Sequence, residues 1–205
     1  MMTRVLLTGF EPFAGAPVNP SWDAVERVGA EWVGAADLVV RRLPVEFGAA
    51  SALLLAWVEE LAPEIVIAVG VAEGRAGVTI ERIAVNLDDA PIPDNAGNQP
   101  IDAETVPAAA AALWSTLPVK AIVEAIRAAG LPASASLSAG TFVCNHVFYV
   151  LQDGMRGRRM PSGFIHVPAT PEMALGPDVP TMTVDEIAAA LTIAVDVAVR
   201  AILDR

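Results

Sequence analysis

One cysteine and two histidines are the chain's whole supply of the side chains best suited to act as nucleophile and base near neutral pH. Cys144 stands in Gly140-Thr141-Phe142-Val143-Cys144-Asn145-His146, at the entrance to a segment with helical patterning. A helix start presents unpaired N–H groups and partial positive charge, which favour a thiolate and can receive an oxyanion. A solitary cysteine also reads as a small buried apolar residue. His146 follows two residues later, about 200° around a helix, so the two side chains cannot pair; it reads as a structural imidazole. His166 is the other base, in Gly163-Phe164-Ile165-His166-Val167-Pro168 at the C-terminal end of a strand. Open α/β sheets assemble their sites at such ends.

Glu81 lies in the apolar run Val78-Thr79-Ile80-Glu81-Arg82-Ile83-Ala84-Val85, where strand alternation puts it on one face with Thr79. A carboxylate there needs a partner. A salt bridge would satisfy it, and so would a histidine that it orients. Phe10 and Phe13 sit on a loop directly after a strand, as core residues or as the walls of a site for a small flat ligand. The Asp88-Asp89 and Asp94-Asn95 pairs read as turn formers. The Gly-rich stretch 70–77 matches neither a dinucleotide nor a phosphate-loop pattern, and no zinc signature is present.

The elements that must position these residues alternate along the chain. Strands are expected over 4–8, 38–43, 65–70, 78–86, 133–138 and 163–167, and helices over 21–28, 47–61, 118–129, 142–155 and from 183 to the C-terminus. This pattern implies an α/β sheet with helices on both faces. Asn19-Pro20 predicts a capped helix start, and Thr183-Val184-Asp185-Glu186 a capping box. The segment 87–102, dense in Pro, Asp, Asn and Gly, reads as a long loop with a functional or interface role.

A chain of 205 residues with 54% hydrophobic and 18% charged content can bury one core, and a single domain over 1–205 is expected. Its net charge of −11 argues against nucleic acid or an anionic membrane as partner. One cysteine permits no internal disulfide, which fits a reducing compartment. The N-terminal apolar stretch is too short for a signal peptide, and none reaches the roughly 18 residues of a membrane span. A cytoplasmic protein is expected.

Several segments together resemble the type I pyroglutamyl peptidases, also called pyrrolidone-carboxylate peptidases. They are Leu7 to Phe13 with Asn19-Pro20-Ser21; Glu81 to Asn86 running into Ile92-Pro93-Asp94-Asn95 and Gly97 to Pro100; Ser115 to Pro118; Gly140 to Tyr149; and Gly163 to Pro168. The resemblance runs in order along nearly the whole chain. It implies a three-layer α/β/α sandwich with a mostly parallel twisted sheet, of the phosphorylase/hydrolase-like kind. It also implies a triad of Cys144, His166 and Glu81, no cofactor and no metal, and a homotetramer or other homo-oligomer. The implied reaction removes an N-terminal 5-oxoproline from peptides through a thioester. Pocket positions carried over are Phe10, Phe13, Ile92, Phe142 and Val143. Two departures stand out: Glu73-Gly74-Arg75 where the family usually has Gly-Gly-Arg, and Asp89-Ala90-Pro91 where it usually has Asp-Ala-Arg. The second removes a positive charge near the expected site. A cysteine amidase with another acyl preference and a non-catalytic binder of cyclised peptide N-termini are the alternatives.

Overall fold

Strand alternation decides which side of the sheet each helix covers. In a computed structural model, which describes residues 2–203, the chain runs β1 (Arg4–Phe10), α1 (Pro20–Glu31), β2 (Asp37–Leu43), α2 (Ala49–Leu61), β3 (Ile65–Val71), β4 (Val78–Glu81), β5 (Ile83–Val85), β6 (Ala112–Trp114), α3 (Val119–Ala128), β7 (Ala133–Ser136), α4 (Val143–Gly154), β8 (Ser162–Val167) and α5 (Val184–Leu203). Val5 and Leu7 of β1, Ile65, Ile67 and Val69 of β3, and Ile165 and Val167 of β8 face α1, α3 and α5. The intervening Leu6, Val66, Ala68 and Phe164 face α2 and α4. Burying each of these Val, Leu, Ile and Phe side chains contributes about 1.5–3 kcal/mol before chain entropy is counted. The result is the expected three-layer sandwich.

The central sheet has six strands in the order β2-β1-β3-β8-β4-β7. The first four are parallel, and β4 meets β8 antiparallel while pairing parallel with β7. A crevice therefore opens at the C-terminal ends of β1, β3 and β8, and β4 brings its residues in from the opposite direction.

The expected caps are present. Asn19 accepts from the Ser21 amide at 3.1 Å, with Pro20 opening α1. The Thr183 amide donates to Glu186 at 2.8 Å while the Glu186 amide donates to the Thr183 hydroxyl at 3.2 Å. The single strand expected over 78–86 is two strands in two sheets. After Glu81 the chain leaves the main sheet at Arg82, whose guanidinium stacks over Trp114, and β5 pairs antiparallel with β6. The short, Ala-bordered β6 carries little strand signal of its own. Helix α2 begins two residues later than expected, because Phe47 donates its amide to Asp94 at 2.8 Å and Gly48 turns the chain with φ of +72°. The last helix is expected to run to the C-terminus, and its final two positions, Asp204 and Arg205, lie outside the described residues. Among those residues no helix is long and apolar enough to cross a membrane.

Gly9, near the end of β1, lets α1 pack directly on the strand. A Cβ there would lie 2.6 Å from the Ser21 carbonyl oxygen and 2.7 Å from the Trp22 Cα, both backbone atoms that cannot step aside. Gly9→Ala is expected to cost about 1–3 kcal/mol in urea unfolding; stability equal to wild type would show that β1 and α1 separate freely.

Candidate active site

Three neighbouring strands present their site residues in one row. Gly70 of β3 lies beside His166 of β8, which in turn pairs with Thr79 of β4. Glu81 stands two residues beyond Thr79 and so shares its face, one diagonal step from His166. That step is bridged: His166 Nδ1 lies 2.8 Å from Glu81 Oε1. Both side chains are buried, His166 at 3% and Glu81 at 0% exposure.

A carboxylate at that depth needs cationic help, and Arg75 supplies it. Its guanidinium donates to Glu81 Oε1 at 2.7 Å, to the Thr79 hydroxyl, and to the Ser138 carbonyl at 2.9 Å. Burial by itself would raise the Glu81 pKa. The hydrogen bond and attraction from His166, with Arg75 behind them, outweigh burial and hold the carboxyl below its ordinary value. An ionised acceptor at Oε1 requires the hydrogen on Nδ1, which leaves the Nε2 lone pair free. For His166, burial lowers the pKa more than Glu81 raises it, and Arg75 adds to the lowering. The imidazole is therefore neutral at neutral pH.

Cys144 is the second residue of α4, whose N-terminus has no side-chain cap, so its first N–H groups stay available. The neutral thiol is nevertheless the resting form. Burial pushes its pKa up to about 12, and the Glu81 charge acts in the same direction against a smaller opposing effect of Arg75. The thiolate expected from a helix start alone is thus overridden. The two residues after the cysteine pin the helix. Asn145, wholly buried, accepts from the Val85 amide at 3.0 Å and donates to the Val85 and Leu87 carbonyls at 2.8 and 3.1 Å. His146 points away from Cys144, with Nδ1 2.7 Å from Asp88 and Nε2 receiving the Gly48 amide at 3.2 Å.

Cys144 and His166 line one cavity of about 320 Å³, within the range of small-molecule sites. Phe10, Phe13, Val45, Phe142 and Val143 form its apolar wall, and Glu73, Arg75 and Gly140 lie on the lining as well. Phe13 and Phe142 pack with ring centroids 6.2 Å apart. Ile92 is 40% exposed and does not line this cavity; Pro91 beside it is exposed and also outside the lining. Loop 87–102 instead braces the wall. Asn95 donates to Glu11 at 2.9 Å, and Glu11 receives the Val45 amide. Asp94 closes its turn by accepting from the Ala96 and Asn98 amides. Among the described residues, no group of three or more His, Cys, Asp or Glu side chains is placed to hold a metal ion.

The family profile described as pyroglutamyl peptidase matches residues 3–201. The chain is 51% identical over 197 residues to the pyrrolidone-carboxylate peptidase of Erwinia tasmaniensis, across 96% of this chain and 92% of that one. It is 50% identical over 202 residues to pyrrolidone-carboxylate peptidase 1 of Ralstonia nicotianae, across 97% and 94%. The chain belongs to the pyroglutamyl peptidase family. As a member it is a cysteine-type omega-peptidase. Its fold matches the crystal structure of pyroglutamyl peptidase I from Bacillus amyloliquefaciens with a TM-score of 0.93 at 44% identity, covering 97% of both chains. A pyrrolidone carboxyl peptidase variant from Pyrococcus furiosus matches with a TM-score of 0.92 at 40% identity, covering 97% of this chain and 99% of that one.

Sequence reasoning missed two residues of this candidate site. Arg75 looked like one charge in a glycine-rich turn, and only the turn's return onto β4 shows that it grips Glu81. Gly70 looked like a strand-end glycine, yet a Cβ there would stand 2.7 Å from Cys144 Sγ and 2.9 Å from the Phe164 ring. Gly70→Ala should displace the sulfur and lower kcat/KM about 100-fold, the scale of an ångström-sized misplacement, while circular dichroism keeps the native spectrum. Wild-type turnover in that variant would show that Sγ does not depend on the space Gly70 leaves.

Proposed function

We propose that this enzyme removes an N-terminal pyroglutamyl group from peptides, with Cys144 as nucleophile, His166 as base and Glu81 as the orienting acid. The supporting observation is a neutral imidazole held by a buried carboxylate at 2.8 Å, sharing one apolar-walled cavity with the single cysteine at an uncapped helix start. A five-membered lactam is flat and uncharged, and it suits a wall of Phe10, Phe13, Phe142 and Val143.

His166 Nε2 takes the proton of Cys144 as Sγ attacks the pyroglutamyl carbonyl, so no free thiolate need accumulate. Glu81 holds the ring in its Nδ1–H tautomer and stabilises the imidazolium that forms; Arg75 adds to the interactions that keep Glu81 ionised. The unpaired amides opening α4 receive the negative charge on the carbonyl oxygen. The imidazolium protonates the departing amine, leaving a pyroglutamyl thioester. Water activated by the same imidazole then releases pyroglutamate and restores the thiol.

Fluorophore release from a pyroglutamyl amide tests this scheme. Cys144→Ala is expected to abolish turnover, and full activity in that variant would exclude the assignment. The acid limb of kcat/KM reports protonation of His166. It should lie below pH 6.5, the ordinary histidine value, with activity gained as pH rises through it. Glu81→Gln removes a charge that raises the His166 pKa, so the limb should move to lower pH while kcat falls by about 100-fold or more. A limb that moved upward would contradict this charge arrangement.

A further inference from the structure

Besides Cys144, three ionisable side chains line the cavity: His166, Arg75 and Glu73. Two of them are already engaged, His166 and Arg75 both with Glu81 Oε1. Glu73 is exposed and, among the described residues, takes part in no hydrogen bond or ion pair. It is the cavity's uncommitted charge.

Strand order decides which part of a substrate meets it. Phe10, Phe13 and Val45 come from the ends of β1 and β2, on one side of the crevice. The chain leaving β3 turns the other way. Gly70 lies beside His166, the Ala72 amide donates to the Val167 carbonyl of β8 at 2.9 Å, and Arg75 reaches Glu81 on β4. Glu73 therefore sits on the His166 side, away from Phe10, Phe13 and Val45. The departing amine must also lie on that side, because His166 protonates it.

Resting on the pyroglutamyl-peptidase reading above, we propose that the Glu73 carboxylate selects the residue following the pyroglutamyl group, favouring Lys or Arg there and disfavouring Asp or Glu. Arg75 does not cancel this preference, since its charge is spent on buried Glu81.

The experiment compares kcat/KM for two C-terminally amidated peptides that differ only in Lys or Glu after the pyroglutamyl group. Their ratio is taken within each protein sample, so it does not depend on the folded fraction. For wild type the Lys:Glu ratio should be roughly fivefold, the scale of an exposed charge pair, and should shrink at high salt. Glu73→Gln should bring the ratio close to one, and Glu73→Lys should invert it. Turnover of both peptides with a ratio near one in wild type, or a ratio unmoved by either substitution, overturns the role of Glu73 and leaves the pyroglutamyl activity standing. Failure to cleave either peptide or the fluorogenic amide would instead overturn the activity, and this assignment with it.

Discussion

The hydrogen bond between Glu81 and His166 exists because β4 enters the sheet against the direction of β8. Had β4 run parallel, its C-terminal residue would lie level with the end of β8 and lead the chain onward from there. Antiparallel pairing places Thr79 opposite His166 and carries Glu81 down the strand to the level of Phe164. The carboxylate thus approaches the imidazole from beneath, within the apolar interior, while the other ring nitrogen is left for the cavity. Its depth makes the interaction strong and also makes the carboxylate depend on its partners, His166 first and Arg75 behind it, since a lone buried carboxylate would take up a proton.

A second histidine–carboxylate pair, its histidine two residues after Cys144, shows what the cavity adds. His146 and Asp88 are as close as His166 and Glu81, at 2.7 Å against 2.8 Å. The Nε2 of His146, however, is met by the Gly48 amide at 3.2 Å and the Ser51 hydroxyl at 3.0 Å, so it has no lone pair left to offer. That network ties the start of α2, helix α4 and loop 87–102 together. Adjacent residues of α4 thereby divide the work: Cys144 faces the cavity, while Asn145 and His146 hold the helix that carries it.

The two sides of the sheet divide in a similar way. Helices α1, α3 and α5 cover one side with an almost wholly aliphatic core. The side under α2 and α4 gathers the aromatics Phe10, Phe148, Tyr149 and Phe164, together with the polar residues of the site. The cavity opens on this side, between Phe10, Phe13 and Phe142 and the polar residues Cys144 and His166. Gly70 leaves the room that the Cys144 sulfur occupies beside it.

Most of the fold was legible in the chain itself. Buried parallel strands announce themselves as apolar runs such as Ile65–Val71, and capping pairs such as Asn19-Pro20 and Thr183/Glu186 act within a few residues. The same local logic separated Cys144 from His146, because helix geometry fixes the angle between them. The break at Arg82, the grip of Arg75 on Glu81, the space above Gly70 and the place of Ile92 outside the cavity lining were decided by tertiary structure. Each depends on which strand lies beside which, in what direction and register. Residues distant in sequence carry no local signal of that, since the energy that settles it comes from burying their shared surface.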